Sequence, residues 1–120
     1  MHAIPCAAMH PSGKSWAGQS MDNKVVVYES SKGSFVLNKK KRFTGHMSSG
    51  YSCGLKFSPD GQFLASGDGE GKLWFWNWST QKNYRTIKTH DGVCIDLDWH
   101  PVEPSRVATA GWDGLIKLWD

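Results

Sequence analysis

With 120 residues, 39% of them hydrophobic and 21% charged, the chain can bury one modest core and is too apolar to remain disordered. A net charge of +3 is too mild for a domain-wide nucleic-acid face, the three cysteines show no Cys-x-x-Cys spacing that would mark a zinc site or a disulfide framework, and no apolar run reaches membrane-spanning length. Thirteen glycines and seven tryptophans suit an all-β fold with many turns and large side chains between sheets.

In chain order, strand residues begin almost at once. His10-Pro11 closes the first strand, Asp22 occupies a tight turn, and Tyr28 follows six residues later. The first unit ends on an outer strand and loop carrying the basic run Lys39-Lys40-Lys41-Arg42. That run accounts for most of the charge asymmetry, with 8 Lys/Arg against 3 Asp/Glu in residues 1–60 and 6 against 8 in residues 61–120. Next, Cys53, Leu55 and Phe57 alternate onto one face, the period of a half-buried strand. Pro59-Asp60-Gly61 is turn chemistry, and Phe63–Ser66 is the next strand. The tight turn of Gly67, Gly69 and Gly71 leads into Leu73–Asn77, and an outer strand lies near Lys82–Lys88. The third unit runs Val93–Trp99, Arg106–Ala110 and Leu115–Trp119. No stretch has a convincing helical period, so eleven strands are expected, in groups of four, four and three.

Three anchors recur together. The prolines of His10-Pro11, Ser58-Pro59 and His100-Pro101 are 48 and 42 residues apart. The turn residues Asp22, Glu70 and Asp113 are 48 and 43 apart, as are the aromatics Tyr28, Trp76 and Trp119. A period of about 40–45 residues closing on Trp-Asp resembles the WD40 repeat. The resemblance implies an all-β partial WD40 β-propeller spanning residues 1–120, with blades near 3–43, 50–88 and 93–120. Each blade is a four-stranded antiparallel sheet, the last lacking its outer strand. Such an open arc is expected to need further blades, and to be poorly soluble or oligomeric in isolation.

In WD40 proteins a histidine, a Ser/Thr, the turn Asp and the third-strand Trp form a hydrogen-bonded set. By resemblance the third repeat supplies it in full with His90, Thr109, Asp113 and Trp119. The second supplies His46, Ser66 and Trp76 but places Glu70 at the turn, which predicts a partial network. The first has Gly18, Asp22 and Tyr28 with no preceding histidine, and no full network is expected there. A His, a hydroxyl and an Asp could also be a catalytic triad, but the trio recurs by repeat and lacks a nucleophile elbow or oxyanion motif. Gly67–Gly71 lacks the Lys-Ser/Thr of a phosphate loop and opens a strand, so it reads as a turn.

More particular segments narrow the resemblance. Gln19–Asn23, Leu37–Lys41, Gly45-His46-Met47, Gly67-Asp68-Gly69, His90–Ile95, Trp99-His100-Pro101 and Gly111–Asp120 are similar to the C-terminal end of a family of WD40 pre-mRNA splicing factors. That resemblance implies a non-catalytic nuclear scaffold acting in the spliceosome around exon ligation. Its partners would be spliceosomal proteins, the remaining blades and the RNA backbone, with no cofactor, metal, membrane or small-molecule substrate. Two other readings compete: a substrate-recruiting module of a ubiquitin ligase, and a hydrolase built on His90 and Asp113. Three groups are candidate contact residues. Lys39, Lys40, Lys41 and Arg42 could meet RNA phosphate, an acidic partner or an import receptor, or form a solvated strand. Trp112, beside the turn Asp, could be a docking hot spot or pack on a neighbouring blade. Trp74 shares a strand face with Trp76 and Trp78 and could be exposed for contact or cover a blade edge.

Overall fold

The computed structural model describes residues 6–20, 23–47, 53–100 and 106–119. Asp22, Pro101 and Asp120, which figure in the repeat pattern, lie outside the described residues. Eleven strands are present among those described, and they form three antiparallel sheets. The first joins β1 (Cys6–Met9), β2 (Ser15–Ser20), β3 (Lys24–Ser31) and β4 (Ser34–Thr44) in sequence order. The second joins β5 (Leu55–Phe57), β6 (Phe63–Gly67), β7 (Lys72–Asn77) and β8 (Asn83–Lys88) in the same way. The third pairs β9 (Cys94–Trp99), β10 (Val107–Gly111) and β11 (Ile116–Trp119), with β10 central.

Tight turns join successive strands because the sequence puts turn residues where positive φ is required. Asn23, Gly71 and Gly114, at φ 66°, 82° and 81°, occupy the same place between the second and third strands of their sheets. β5 is shorter than the alternation of residues 53–57 predicts. The Gly54 amide turns to Ile95 O at 2.7 Å, on the next sheet, while its carbonyl still accepts from the Gly67 amide at 3.3 Å.

The first strands β1, β5 and β9 gather at the inner side, each against the next. Strands then step outward to β4 and β8. Period-2 alternation gives every sheet two packing faces. On the first seam Ala17, Val25, Val27 and Phe43 of the first sheet bury against Leu55, Leu64 and Trp76 of the second. On the second seam Ala65 and Leu73 meet Leu97 and Val107, with Phe75 and Trp99 at the margin. Full burial of each Leu, Val or Phe contributes about 1.5–3 kcal/mol. The architecture is a stack of propeller blades. The outward faces at its two ends carry exposed apolar side chains, joined on the third sheet by Asp96 and Asp98 in the same rows. Met9, Trp16, Tyr28 and Leu37 are cross-strand partners in one row over the first sheet, while Ile116 and Leu118 stand exposed on β11.

Candidate functional site: two polar networks and an exposed rim

In the third blade the structure brings His90, Thr109, Asp113 and Trp119 together. His90 Nδ1 lies 3.0 Å from both oxygens of Asp113, and its Nε2 lies 2.9 Å from Thr109 Oγ1. Trp119 Nε1 donates to the same hydroxyl at 2.9 Å. With Nδ1 protonated, donors run one way, from indole to hydroxyl to imidazole to carboxylate, and no member competes for a proton. Asp113 also accepts from the amides of Leu115 at 3.1 Å and Asp91 at 3.3 Å, which ties the turn to the loop entering the blade. Partial desolvation works against the Asp113 carboxylate, but the Leu115 amide, the His90 imidazole and the Asp91 amide outweigh it and hold its pKa below the usual value. Gly111 is required here, since a Cβ on it would run into the His90 ring.

The second blade is wired differently. His46 Nε2 donates to Gln19 Oε1 at 2.6 Å, Gln19 Nε2 donates to Ser66 Oγ at 2.5 Å, and Ser66 donates to Gly67 O at 2.6 Å. Gln19 belongs to the first blade, so this chain crosses the seam. Glu70, the turn acid of the sequence pattern, is exposed. The acid that works inside the blade is Asp68, fully buried, two residues earlier. Its carboxylate accepts from the amides of Glu70 at 2.9 Å and Lys72 at 2.8 Å and from Trp74 Nε1 at 2.7 Å. Its shorter side chain fits the Asx-type turn, which a glutamate cannot close as tightly. Trp76 sends its indole N–H to Thr44 O at 3.3 Å instead of to Ser66. Desolvation pulls the His46 pKa down to about 4, only partly opposed by Asp68, and His46 Nδ1 is buried with no hydrogen-bond partner among the described residues.

Sequence reasoning missed Gln19 and Asp68. Asp68 could have been found as a short acid placed to accept from amides two and four residues ahead. Gln19 carried no local signal, because its partners lie 27 and 47 residues away.

The contact candidates separate as well. Trp74 is half-buried. It packs on Gly45, runs near-parallel to Trp76 at 6.0 Å, and is bonded to Asp68, so its ring is committed inward. Trp78 lies past the end of β7 and stacks on Phe43 at 5.6 Å. Trp112 is 64% exposed on the β10–β11 turn, its amide bonded to Val93 O. The basic run is not a plain strand. Between neighbours Val26 and Val27 of β3 the partners on β4 jump from Arg42 to Asn38, so Lys39, Lys40 and Lys41 bulge out of the ladder. Asn38 Oδ1 caps the bulge by accepting from the Lys40 amide at 3.0 Å, and its Nδ2 donates to Glu29 at 3.1 Å. Lys41 folds back over the Trp78 ring, 3.8 Å from its centroid. Burial there lowers its pKa, against the opposing pull of Glu29. Lys39, Lys40 and Arg42 stay exposed.

Blades with short turns, a hydrogen-bonded polar set in each seam and exposed side chains on the rim define a repeat scaffold, and the sequence comparisons agree. The family model for the WD domain, G-beta repeat, matches residues 37–77 and 81–120, and the chain belongs to the WD40 family. The first matched segment starts on the outer strand β4 and ends with the third strand β7 of the next sheet, and the second likewise takes in β8 together with β9, β10 and β11, so the sequence repeat spans neighbouring sheets.

Among individual proteins, the chain is 53% identical over its whole length to pre-mRNA-processing factor 17 of Homo sapiens. It is 38% identical, over 99% of its length, to pre-mRNA-processing factor 17 of Saccharomyces cerevisiae, and 30% identical, over 98%, to WD repeat-containing protein 25 of Mus musculus. It spans 21%, 26% and 22% of these relatives, about a fifth to a quarter of their length.

Proposed function

We propose that this chain is a non-catalytic WD40 scaffold of a nuclear pre-mRNA splicing factor, acting in the spliceosome around exon ligation and binding other spliceosomal proteins. The observation that carries the reading is the 53% identity to pre-mRNA-processing factor 17 across all 120 residues. The site chemistry favours a scaffold over a hydrolase. His90 is fully buried with both ring nitrogens engaged, and the Thr109 hydroxyl is buried beneath it, so neither is placed to meet a substrate. The apolar row of Met9, Trp16, Tyr28 and Leu37 at one end and the exposed Ile116 and Leu118 at the other are faces for further blades of a longer propeller.

The test is depletion and add-back in splicing extract. The intact protein should enter spliceosomes, and its loss should leave cleaved first exon and lariat intermediate unligated. Absence from purified spliceosomes, or a block before the first cleavage, would overturn the reading. Replacing His90 separates the hydrolase alternative. A structural histidine takes the melting temperature down with it, whereas a catalytic one would abolish an activity in a protein that melts normally.

A further inference from the structure

We infer that the outer rim of the first two blades is a binding surface for single-stranded RNA, with Lys39, Lys40, Arg42, Lys82 and Arg85 on phosphates and Tyr84 as a stacking platform. The inference rests on the arrangement of charge and holds apart from the splicing reading.

Acidic charge is kept off the outer strands. The outer strands β4 and β8 carry no acidic residue, and neither do the wider stretches 30–59 and 71–90. Among the described residues, Asp60, Asp68, Glu70, Asp91 and Asp113 lie in turns and loops and Asp96 and Asp98 on the inner strand β9, while Glu29 on β3 is the acid that meets the rim, accepting from Asn38 at 3.1 Å beside the bulge. A rim that is merely solvated mixes both signs, which keeps it soluble without a single-sign field. Here β4 and β8 contribute only basic charge, and the one neighbouring acid, Glu29, is engaged by Asn38.

The two basic segments are also physically joined. The Arg42 amide donates to Gln81 Oε1 at 3.3 Å, linking the bulged run of the first blade to the β7–β8 turn of the second, immediately before Lys82. Gln81 holds φ 64°, an uncommon conformation for a residue other than glycine, so the turn is built and not incidental. Ejecting residues 39–41 from the ladder frees Lys39 and Lys40 to face solvent, while Lys41 anchors the loop on Trp78.

The aromatic component chooses RNA over an acidic protein. Tyr84 is 68% exposed, stands on β8 between Lys82 and Arg85, and rests against Phe63 with ring centroids 5.1 Å apart. A held, exposed ring beside the cations of its own strand suits base stacking along a phosphate chain. A protein partner would want an apolar pocket for its own anchor side chains.

The experiment is fluorescence anisotropy with the full chain and a labelled oligouridylate of about 20 nucleotides, across salt from about 50 to 200 mM. Reversing Lys39, Lys40, Lys82 and Arg85 to Glu should weaken binding at least about tenfold, and should flatten the salt dependence by about 0.7 in log–log slope for each phosphate that is no longer neutralised. Tyr84→Ala should weaken binding about fivefold or more with the slope unchanged. Lys14→Glu with Lys56→Glu, a reversal of exposed charge off the rim, should leave affinity close to the parent. If the four-residue reversal unfolds the chain by circular dichroism, Lys39→Gln with Lys40→Gln is judged on slope by the same criterion. Three results would each defeat the proposal: no binding by the parent, equal weakening by the off-rim control, or displacement of the RNA by polyglutamate of matched charge with Tyr84→Ala silent. The last would assign the rim to an acidic protein instead.

Discussion

The second and third blades start from the same repeat yet close their polar networks in different ways. In the third, His90 finds its acid within its own blade, at the turn, and Thr109 and Trp119 complete the set. In the second, His46 finds an amide from the neighbouring blade, and the acid has moved two residues back to serve the turn and Trp74. The repeat register explains the divergence. The position of Gln19 in the first blade corresponds to Gly67 in the second, where a Cβ would already collide with Cys94 O. Nothing long enough can reach across the second seam, so His90 is completed locally. Across the first seam Gln19 is present and, once it holds His46, the turn acid is released to the surface as Glu70. Every repeat carries the same requirement that buried donors and acceptors be paired, and each seam meets it with the side chains at hand.

The largest expected effect breaks the second network at its carboxylate. Asp68→Ala orphans the amides of Glu70 and Lys72 and the indole of Trp74 together, and should cost about 4 kcal/mol in urea denaturation. A cost equal to that of Glu70→Ala would return the acid role to Glu70.

A pH series probes the same blade. The folded pKa of His46, about 4, lies below its ordinary 6.5, so the unfolded chain takes up a proton first as pH falls. Stability is full above pH 6.5 and declines progressively toward pH 4, by about 3 kcal/mol at most from this residue. His46→Gln should flatten that part of the profile, and an unchanged slope would show that His46 is not the group responsible.

Gln19→Ala should cost about 2 kcal/mol by leaving the His46 N–H and the Ser66 hydroxyl short of a partner. A double-mutant cycle with His46→Ala should show a coupling of about 1 kcal/mol or more across the seam. The Gln19→Ala and His90→Ala effects should by contrast be additive, because they belong to different networks. Smallest of all, Glu70→Ala should shift stability by less than about 0.5 kcal/mol, as expected of an exposed side chain.

Strand number and order, the turn positions and the repeat register were legible in the sequence, because each depends on local chemistry. Alternation by two marks a strand, Gly and Asn permit positive φ, and Trp-Asp closes a repeat. The meeting of His90, Thr109, Asp113 and Trp119 was legible too, since all four belong to one repeat and its register places them. Three features were settled only in the tertiary structure: the Gln19 bridge, the inward commitment of Trp74, and the ejection of Lys39–Lys41 from the β4 ladder. Each depends on what a neighbouring sheet or strand presents. Gln19 needs Ser66 and His46 across the seam. Trp74 needs a buried carboxylate within 2.7 Å, and the bulge needs Trp78 to receive Lys41 and Gln81 to hold Arg42. A sequence dictates which groups must find partners; which partners they find is decided where sheets meet, because distance along the chain does not measure distance across a packed seam.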